Sequence, residues 1–274
     1  MDRKILFTDL DGTLLNDEKK ISGSVKNALL DFHKNGHVLV LASGRPLSSI
    51  LEVREYLGLQ FPDSYIIAYN GSLTYHCDSA SPVKEHTITT EDVRAILQET
   101  RALGIHCHTY EDDTIIFERE RLELSYYTQH IHLPYRLVDD ITTALTKAPY
   151  KLIAIHLTDH ALLEELQARV LAKTGGRIIA VFSNDRYLEF YPATSGKGNA
   201  VLDLCAYLNI PVANSAAIGD ESNDISMLEA AGLGCAMANA KDCVKNAAGF
   251  ITKNDNNHDG ICELLEYFFY TSTK

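Results

Sequence analysis

The stretch ILFTDLDGTLL, residues 5–15, begins like a buried β-strand and then places two carboxylates directly after it. Residues 5–7 form a short apolar run, Asp9 and Asp11 follow two residues apart, and Gly12 allows a turn. A charged carboxylate in a low-dielectric interior costs on the order of several kcal/mol unless it is paired or bound to a metal. The stretch therefore predicts a core strand whose end carries a site that compensates negative charge.

The composition is that of a folded globular protein. The chain has 274 residues, enough for one large or two ordinary domains, with 46% apolar and 23% charged residues. The net charge of −12 argues against nucleic acid as the main partner, because phosphate backbones are bound through clustered Lys and Arg. A small phosphorylated substrate remains compatible with this charge, since a bound divalent cation reverses the local field.

No apolar run approaches the ~20 residues of a membrane helix, and the N-terminus lacks the apolar core of a signal peptide. We therefore expect a cytoplasmic protein with no membrane partner. The sequence leaves open whether it is a monomer or a homodimer. The six cysteines are scattered and make no C-x-x-C pair, so we expect buried free thiols rather than disulfides.

The order of strand-like and helix-like segments predicts two domains. Up to residue 82 and again from residue 187, near-continuous apolar strands alternate with amphipathic helices, as in a parallel sheet covered on both faces. Between them, over 83–186, the strands alternate in polarity, which is typical of an α+β domain. The predicted fold is an α/β, Rossmann-like parallel-sheet core formed by 1–82 and 187–274, with an inserted α+β cap domain.

Polar clusters follow several of the predicted core strands. Asp9 and Asp11 follow the first strand, Ser43-Gly44-Arg45 follow VLVLA, and Asp220 begins the acidic part of GDESND (219–224). Ligands of open parallel sheets bind beyond the carboxyl ends of the strands, so we expect these residues at one edge of the sheet. Oxygen ligands without paired histidines suit a hard cation, which predicts a Mg²⁺ site.

These motifs, taken in order, resemble those of the haloacid dehalogenase (HAD) superfamily. They are Asp9-Leu10-Asp11-Gly12-Thr13, the Ser43 cluster, Lys197 in ATSGKGNAV, and GDESND. The resemblance covers essentially the whole chain and is strongest to the Cof-type phosphatases. The position of the insertion, between the Ser43 cluster and Lys197, resembles the α/β cap of the Cof-type, sucrose-phosphatase and phosphomannomutase branch, in which cap residues select the leaving group.

The resemblance implies a role for each motif residue. Asp9 would be the nucleophile that forms an aspartyl-phosphate, and Asp11 would protonate the leaving oxygen and then activate water. Lys197 would stabilise the transferring phosphoryl group. Mg²⁺ would be bound by the Asp9 carboxylate, the Asp11 backbone carbonyl and Asp220. Asp224 would orient Lys197 or reach the ion through a water molecule.

The same resemblance implies a set of substrate contacts. The Ser43 hydroxyl, the Gly44 N–H and Asn223 would bind the phosphate, while Arg45 and the pair Asn70-Gly71 in AYNGS are further candidate contacts. The implied activity is that of a phosphoric monoester hydrolase, a Mg²⁺-dependent phosphatase acting on a small phosphorylated metabolite such as a sugar phosphate. The alternative is a phosphomutase of the phosphomannomutase kind; a non-catalytic binding module is less favoured because all the motif residues are present.

Two histidine pairs invite a metal interpretation. His106 and His108, and likewise His130 and His132, are two residues apart, and on a strand such residues share a face. Neither pair is accompanied by a C-x-x-C or an H-E-x-x-H motif, so a zinc site is not favoured. The first pair is alternatively a candidate lining of the substrate-facing surface of the cap.

Overall fold

The structure, a computed structural model, describes residues 2–129, 131 and 133–270, without the side chains of 269 and 270. It divides the chain into two compact units. We call Met1–Lys84 with Gly196–Lys274 the core unit, and Glu85–Ser195 the inserted unit.

The strands, in chain order, are β1 (Ile5–Thr8), β2 (Val38–Ala42), β3 (Tyr65–Ala68), β4 (Leu73–His76), β5 (Ser81–Glu85), β6 (His106–Glu111), β7 (Thr114–Phe117), β8 (Tyr135–Leu137), β9 (Leu152–Ile155), β10 (Ile178–Asn184), β11 (Tyr187–Pro192), β12 (Ser215–Gly219), β13 (Leu233–Ala236) and β14 (Phe250–Ile251). The helices are α1 (Gly23–Lys34), α2 (Leu47–Tyr56), α3 (Thr90–Leu103), α4 (Leu122–Thr128), α5 (Ile141–Ala144), α6 (His160–Thr174), α7 (Lys197–Tyr207), α8 (Ile225–Ala230), α9 (Asp242–Ala247) and α10 (Gly260–Tyr270). Short 3₁₀ turns occupy Tyr69–Gly71, Val212–Asn214 and Ser222–Asp224.

The main sheet has the strand order β14-β13-β12-β1-β2-β3-β4-β5. The six strands from β14 to β3 are parallel, with Phe7 of β1 opposite both Val40 and Ala217, whereas β4 pairs antiparallel with β3. Every residue of β1 is buried, as expected of a central strand covered on both faces. The predicted parallel-sheet α/β core is confirmed, and β1 and β12 lie side by side at its centre.

The inserted unit contains a second sheet with the order β10-β11-β9-β6-β7-β8. One face of this sheet packs on an apolar cluster that includes Cys107 and Leu152 and residues of α3 and α6. Neighbouring positions of β6 belong to the opposite face, which carries His106, His108 and Tyr110. This alternation explains why the strands of this segment vary in polarity along the sequence.

The junctions between the units differ from the predicted ones. The structure sets them after Lys84 and after Ser195, whereas the sequence predicted them after residues 82 and 186. The difference arises from β11, which the sequence assigned to the core but which pairs with β9 and β10 in the inserted sheet. Because β11 is an interior strand, its Leu188 and Phe190 enter the apolar cluster and Glu189 between them is buried as well, so its burial resembles that of a core strand.

Among the described residues, no helix combines the length and the apolar character that a membrane span requires. All six cysteines are free, but only Cys107, Cys205 and Cys235 are buried as expected; Cys77 and Cys262 are half-buried and Cys243 is exposed.

Candidate active site

Asp9 lies where β1 ends, at the carboxyl edge of the main sheet. Its backbone N–H donates to the Ile218 carbonyl at 3.0 Å, so the ladder between β1 and β12 extends as far as Asp9. Its carbonyl accepts from the Leu14 N–H at 3.3 Å, which closes the turn that follows the strand. The Asp9 backbone is therefore fixed by hydrogen bonds on both sides, and the residue is buried.

Lys197, the first residue of α7, lies between two carboxylates. Its Nζ donates to Asp9 Oδ1 and to Asp224 Oδ1, both at 2.6 Å, and its side chain is completely buried. Burial favours the neutral amine, but the charges of Asp224 and Asp9 outweigh it and raise the pKa of Lys197 above its usual range. A fixed positive charge thus sits directly beside the Asp9 carboxylate.

Asp224 organises the loop that follows β12. Its Oδ2 accepts from the backbone N–H groups of Asp220 and Glu221, each at 3.0 Å, while its Oδ1 binds Lys197. Both carboxylate oxygens of Asp224 are therefore engaged by the protein. Asp220 is fixed from another direction, since Thr13 Oγ1 donates to its Oδ1 at 2.6 Å.

The residues present fit a divalent cation. Asp9, Asp220 and Asp224 each place a carboxylate oxygen within 4.8 Å of the others, and this is the one such acidic group within the described part of the chain. Burial raises the pKa of Asp9 well above its usual range and that of Asp220 to about 6, and the neighbouring carboxylates add to both effects. A hard cation with oxygen ligands, such as Mg²⁺, would remove this excess negative charge.

Gly12 makes room for the Asp220 carboxylate. Its φ is +77°, a left-handed conformation that favours glycine, and a Cβ at this position would overlap Asp220 Oδ2. The turn after β1 can therefore pass against the loop after β12. This contact brings Gly12 and the Asp220 carboxylate together at the same edge of the sheet.

The carboxylate of Asp11 does not join the acidic group. It accepts two hydrogen bonds from Arg45, at 2.8 and 2.7 Å, and a third from Lys19 at 2.8 Å. Burial acts to raise its pKa, but the Arg45 and Lys19 bonds and charges outweigh burial and lower the pKa of Asp11 below its usual value. Asp11 therefore lies beside the group as an ionised, paired carboxylate.

The Ser43-Gly44-Arg45 loop follows β2 and packs against the turn Tyr69–Gly71. The Ser43 hydroxyl accepts from the Arg45 N–H at 3.2 Å, so it stabilises its own turn. Asn70 N–H donates to the Ser43 carbonyl at 3.2 Å. The Asn70 side chain also accepts from Asn223 Nδ2 at 3.1 Å, which links this loop to the one that carries Asp220 and Asp224.

Three residues that position the site received no role from the sequence. Thr13 follows Asp9 and Asp11 in the first motif, and this nearness in sequence could have indicated a role for its hydroxyl, which binds Asp220. Asn239 Nδ2 donates to the Gly12 carbonyl at 2.8 Å. Since Asn239 comes shortly after the apolar strand β13, its position after a core strand could have indicated a place at the same edge of the sheet. Lys19 reaches Asp11 from the next turn of the chain, and nothing in its sequence context distinguishes it from a surface lysine.

The histidines of the inserted unit do not form a metal centre with other ligating side chains in the described ranges. His106 Nε2 and His108 Nδ1 are hydrogen bonded to each other at 3.1 Å, and both rings are buried. His130 and His132 lie outside the described residues.

Comparisons with known proteins identify the family of this chain. Residues 6–265 match the model of a haloacid dehalogenase-like hydrolase family. The 5-amino-6-(5-phospho-D-ribitylamino)uracil phosphatase of Bacillus subtilis is 27% identical, over 97% of both chains. The HMP-PP phosphatase of Yersinia pestis is 29% identical, over 85% of this chain and 82% of the relative.

A solved structure gives the same result for the fold. The haloacid dehalogenase-like hydrolase of Bacteroides thetaiotaomicron superposes with a TM-score of 0.87 at 29% identity, covering 98% of this chain and 100% of that one. The family match spans nearly the entire sequence, and it includes both units and all the strand ends described above. This chain belongs to the haloacid dehalogenase-like hydrolase family.

Proposed function

We propose that this protein is a Mg²⁺-dependent phosphomonoesterase that hydrolyses a small phosphorylated metabolite through an aspartyl-phosphate on Asp9. The observation that carries the proposal is the Lys197 ammonium group held 2.6 Å from both Asp9 and Asp224 at the carboxyl edge of the sheet. Two relatives that match most of the chain are named phosphatases, which supports hydrolysis over phosphomutase activity.

In the first step, an Asp9 carboxylate oxygen attacks phosphorus while the bond from phosphorus to the leaving oxygen breaks. Lys197 already binds Asp9 Oδ1, so we assign the attack to the other oxygen. Asp11 gives its proton to the leaving oxygen. In the second step, Asp11 takes a proton from water, and the water oxygen displaces Asp9 from phosphorus.

The remaining residues bind charge and keep the reactants in place. Mg²⁺, when bound by Asp9, Asp220 and the Asp11 carbonyl, would offset the charge of the phosphoryl oxygens. Lys197 stabilises the transferring group and is itself held by Asp224.

On the substrate side, we assign phosphate binding to the Ser43 hydroxyl, the Gly44 N–H and Asn223, and a further phosphate contact to Arg45. We assign to the inserted unit the role of a cap that contacts the leaving group. The two named relatives act on different phosphorylated compounds, which supports a substrate class of small phosphorylated metabolites, sugar phosphates among them.

The test is phosphate release from a panel of phosphorylated metabolites, with Mg²⁺ or with EDTA. Asp9→Asn removes the nucleophile, and Asp31→Asn, at an exposed position, is the matched control. We expect Mg²⁺-dependent release by the wild type and by the control, and none by Asp9→Asn. Release that persists in Asp9→Asn would overturn the proposal, and interconversion of hexose phosphates without release would replace it with a mutase.

A further inference from the structure

The turn after β3 has an unusual backbone. Tyr69, Asn70 and Gly71 have φ values of 51°, 56° and 94°, so three successive residues adopt left-handed conformations. For residues other than glycine such conformations cost on the order of 1 kcal/mol each, and they persist only where the surroundings impose them. The strand β3 ends at Ala68, and contacts with another part of the chain hold the next residues in this conformation.

Backbone hydrogen bonds join this turn to the Ser43-Gly44-Arg45 loop. Tyr69 N–H donates to the Arg45 carbonyl at 3.1 Å, and Asn70 N–H donates to the Ser43 carbonyl at 3.2 Å. The left-handed conformation directs both N–H groups toward the loop. The loop that we assign to phosphate binding is therefore fixed at its first and last residues by the turn.

The Asn70 amide lies between two other parts of the site. Its Oδ1 accepts from Asn223 Nδ2 at 3.1 Å, and a Cβ on Gly44 would lie 2.9 Å from the same oxygen. Asn70 is only 4% exposed. The amide oxygen is thus committed to the protein, orienting Asn223 on one side and limiting the position of Gly44 on the other.

Gly71 places the turn against the start of α7. A Cβ on Gly71 would overlap the carbonyl group of Gly196 and lie 2.8 Å from the Lys197 backbone nitrogen. The turn therefore contacts the segment that presents the Lys197 ammonium group. One three-residue turn thus contacts the loop after β2, the loop after β12 and the first residue of α7.

We infer that Asn70 is a positioning residue for the phosphoryl group, acting through Asn223 and the Ser43-Gly44-Arg45 loop, and is not a contact of the leaving group. This inference rests on the proposed function. Every substrate brings the same phosphoryl group, so removal of the Asn70 amide should impair all substrates by the same factor.

The variant Asn70→Gly separates the amide from the backbone, because glycine retains the left-handed conformation without strain. Asn209→Gly is the matched control, since Asn209 has a φ of 54° and is exposed. The kcat/KM of each variant is measured with p-nitrophenyl phosphate and with a hexose phosphate. We expect Asn70→Gly to lose about tenfold on both substrates, the value of one hydrogen bond in a charged site, and the control to lose nothing.

A double-mutant cycle tests whether Asn70 acts through Asn223. In an Asn223→Ala background we expect Asn70→Gly to cost less than about twofold, because the orienting bond is already absent. The inference would be overturned if the loss of kcat/KM in the double variant equalled the product of the two single losses. It would also be overturned if the loss in Asn70→Gly differed between the two substrates. An Asn70→Gly enzyme as active as the wild type would overturn it as well.

Calorimetric binding of inorganic phosphate in the presence of Mg²⁺ provides a readout that does not depend on turnover. Coupled losses of phosphate affinity in Asn70→Gly and Asn223→Ala support the inference. If they occur in a protein that hydrolyses no phosphate ester, the proposed function fails, and only the part of the inference that concerns phosphate binding is retained. If the wild type hydrolyses the panel and the two variants bind phosphate as it does, the inference fails alone.

Discussion

Arg45 binds the Asp11 carboxylate through two parallel hydrogen bonds, from Nε to Oδ2 at 2.8 Å and from Nη2 to Oδ1 at 2.7 Å. This bidentate pair stabilises the ionised form of Asp11, the form that accepts a proton from water in the second proposed step. The first proposed step requires the protonated form. In the proposed mechanism, Asp11 must therefore leave Arg45 and be protonated before the leaving oxygen departs.

The proton donated by Asp11 should matter only for poor leaving groups. In Asp11→Asn we expect kcat/KM to fall on the order of 10²-fold for an alkyl phosphate and far less for p-nitrophenyl phosphate, whose leaving group departs without a proton. Because kcat/KM reports the first step, the comparison is unaffected by slower hydrolysis of the intermediate. Equal losses of kcat/KM on both substrates would remove Asp11 from the role of acid.

Lys197 compensates two buried carboxylates, so its removal should destabilise the fold. We expect Lys197→Met to lower the free energy of unfolding by about 3 kcal/mol in metal-free urea denaturation, because Asp9 and Asp224 are left buried without a cation. Asp224→Asn in the same background should restore part of the loss. Lys34→Met, at an exposed position, is the control, and an equal effect of both Lys→Met changes would contradict this account.

Asp220 should determine the requirement for Mg²⁺. We expect Asp220→Asn to raise the Mg²⁺ concentration for half-maximal activity by at least about tenfold, while the Thr13 hydrogen bond remains available to the amide oxygen. Glu221→Gln is the neighbouring control, since the Glu221 side chain is half-exposed and pairs with Lys241. An unchanged Mg²⁺ activation curve in Asp220→Asn would exclude Asp220 as a ligand.

The sequence predicted those features that depend on local pattern. Apolar runs followed by Asp9, Ser43 or Asp220 predicted parallel strands whose ends share one edge, and the main sheet has this form. The hydrogen-bonded residue pairs that fix the side chains of the site could not be predicted from local pattern. Thr13 and Asp220 are 207 residues apart, and the direction of the Thr13 hydroxyl is decided by how two loops pack.

Other departures have equally physical causes. The turn Tyr69–Gly71 contains two left-handed residues that carry side chains, and backbone bonds to another loop impose a conformation that local propensity disfavours. The strand β11 was assigned to the wrong sheet because an interior strand with both faces buried has a similar sequence pattern in either sheet. Hydrophobic pattern reports burial, but it does not identify the neighbour that buries the strand.

The buried histidines of β6 should make stability depend on pH. Burial, with a smaller contribution from the charge of Arg121, lowers the pKa of His106 to about 4, so the folded state keeps the neutral ring while the unfolded chain takes up a proton below about pH 6.5. The contribution of the neutral His106 ring to the free energy of unfolding is therefore fully present above about pH 6.5. It is lost as the pH falls toward 4.

For His106 alone this loss is about 2 kcal/mol between pH 7 and pH 5. Urea unfolding at the two pH values should show a smaller difference for His106→Gln than for the wild type. The control His160→Gln, at an exposed histidine, should retain the wild-type difference. If His106→Gln showed the same difference in free energy of unfolding between the two pH values as the wild type, the uptake of a proton by His106 on unfolding would be excluded.

The most direct test of the central claim is to trap the phosphorylated enzyme. Asp11→Asn slows hydrolysis of the intermediate, so the variant is mixed with substrate and Mg²⁺, quenched in acid and mapped by peptide mass spectrometry. We expect a phosphoryl group on the peptide that contains Asp9. In the double variant Asp9→Asn/Asp11→Asn we expect none. Phosphate release without any phosphoryl group on Asp9, or with one on a different residue, would contradict the assignment of Asp9 as the nucleophile.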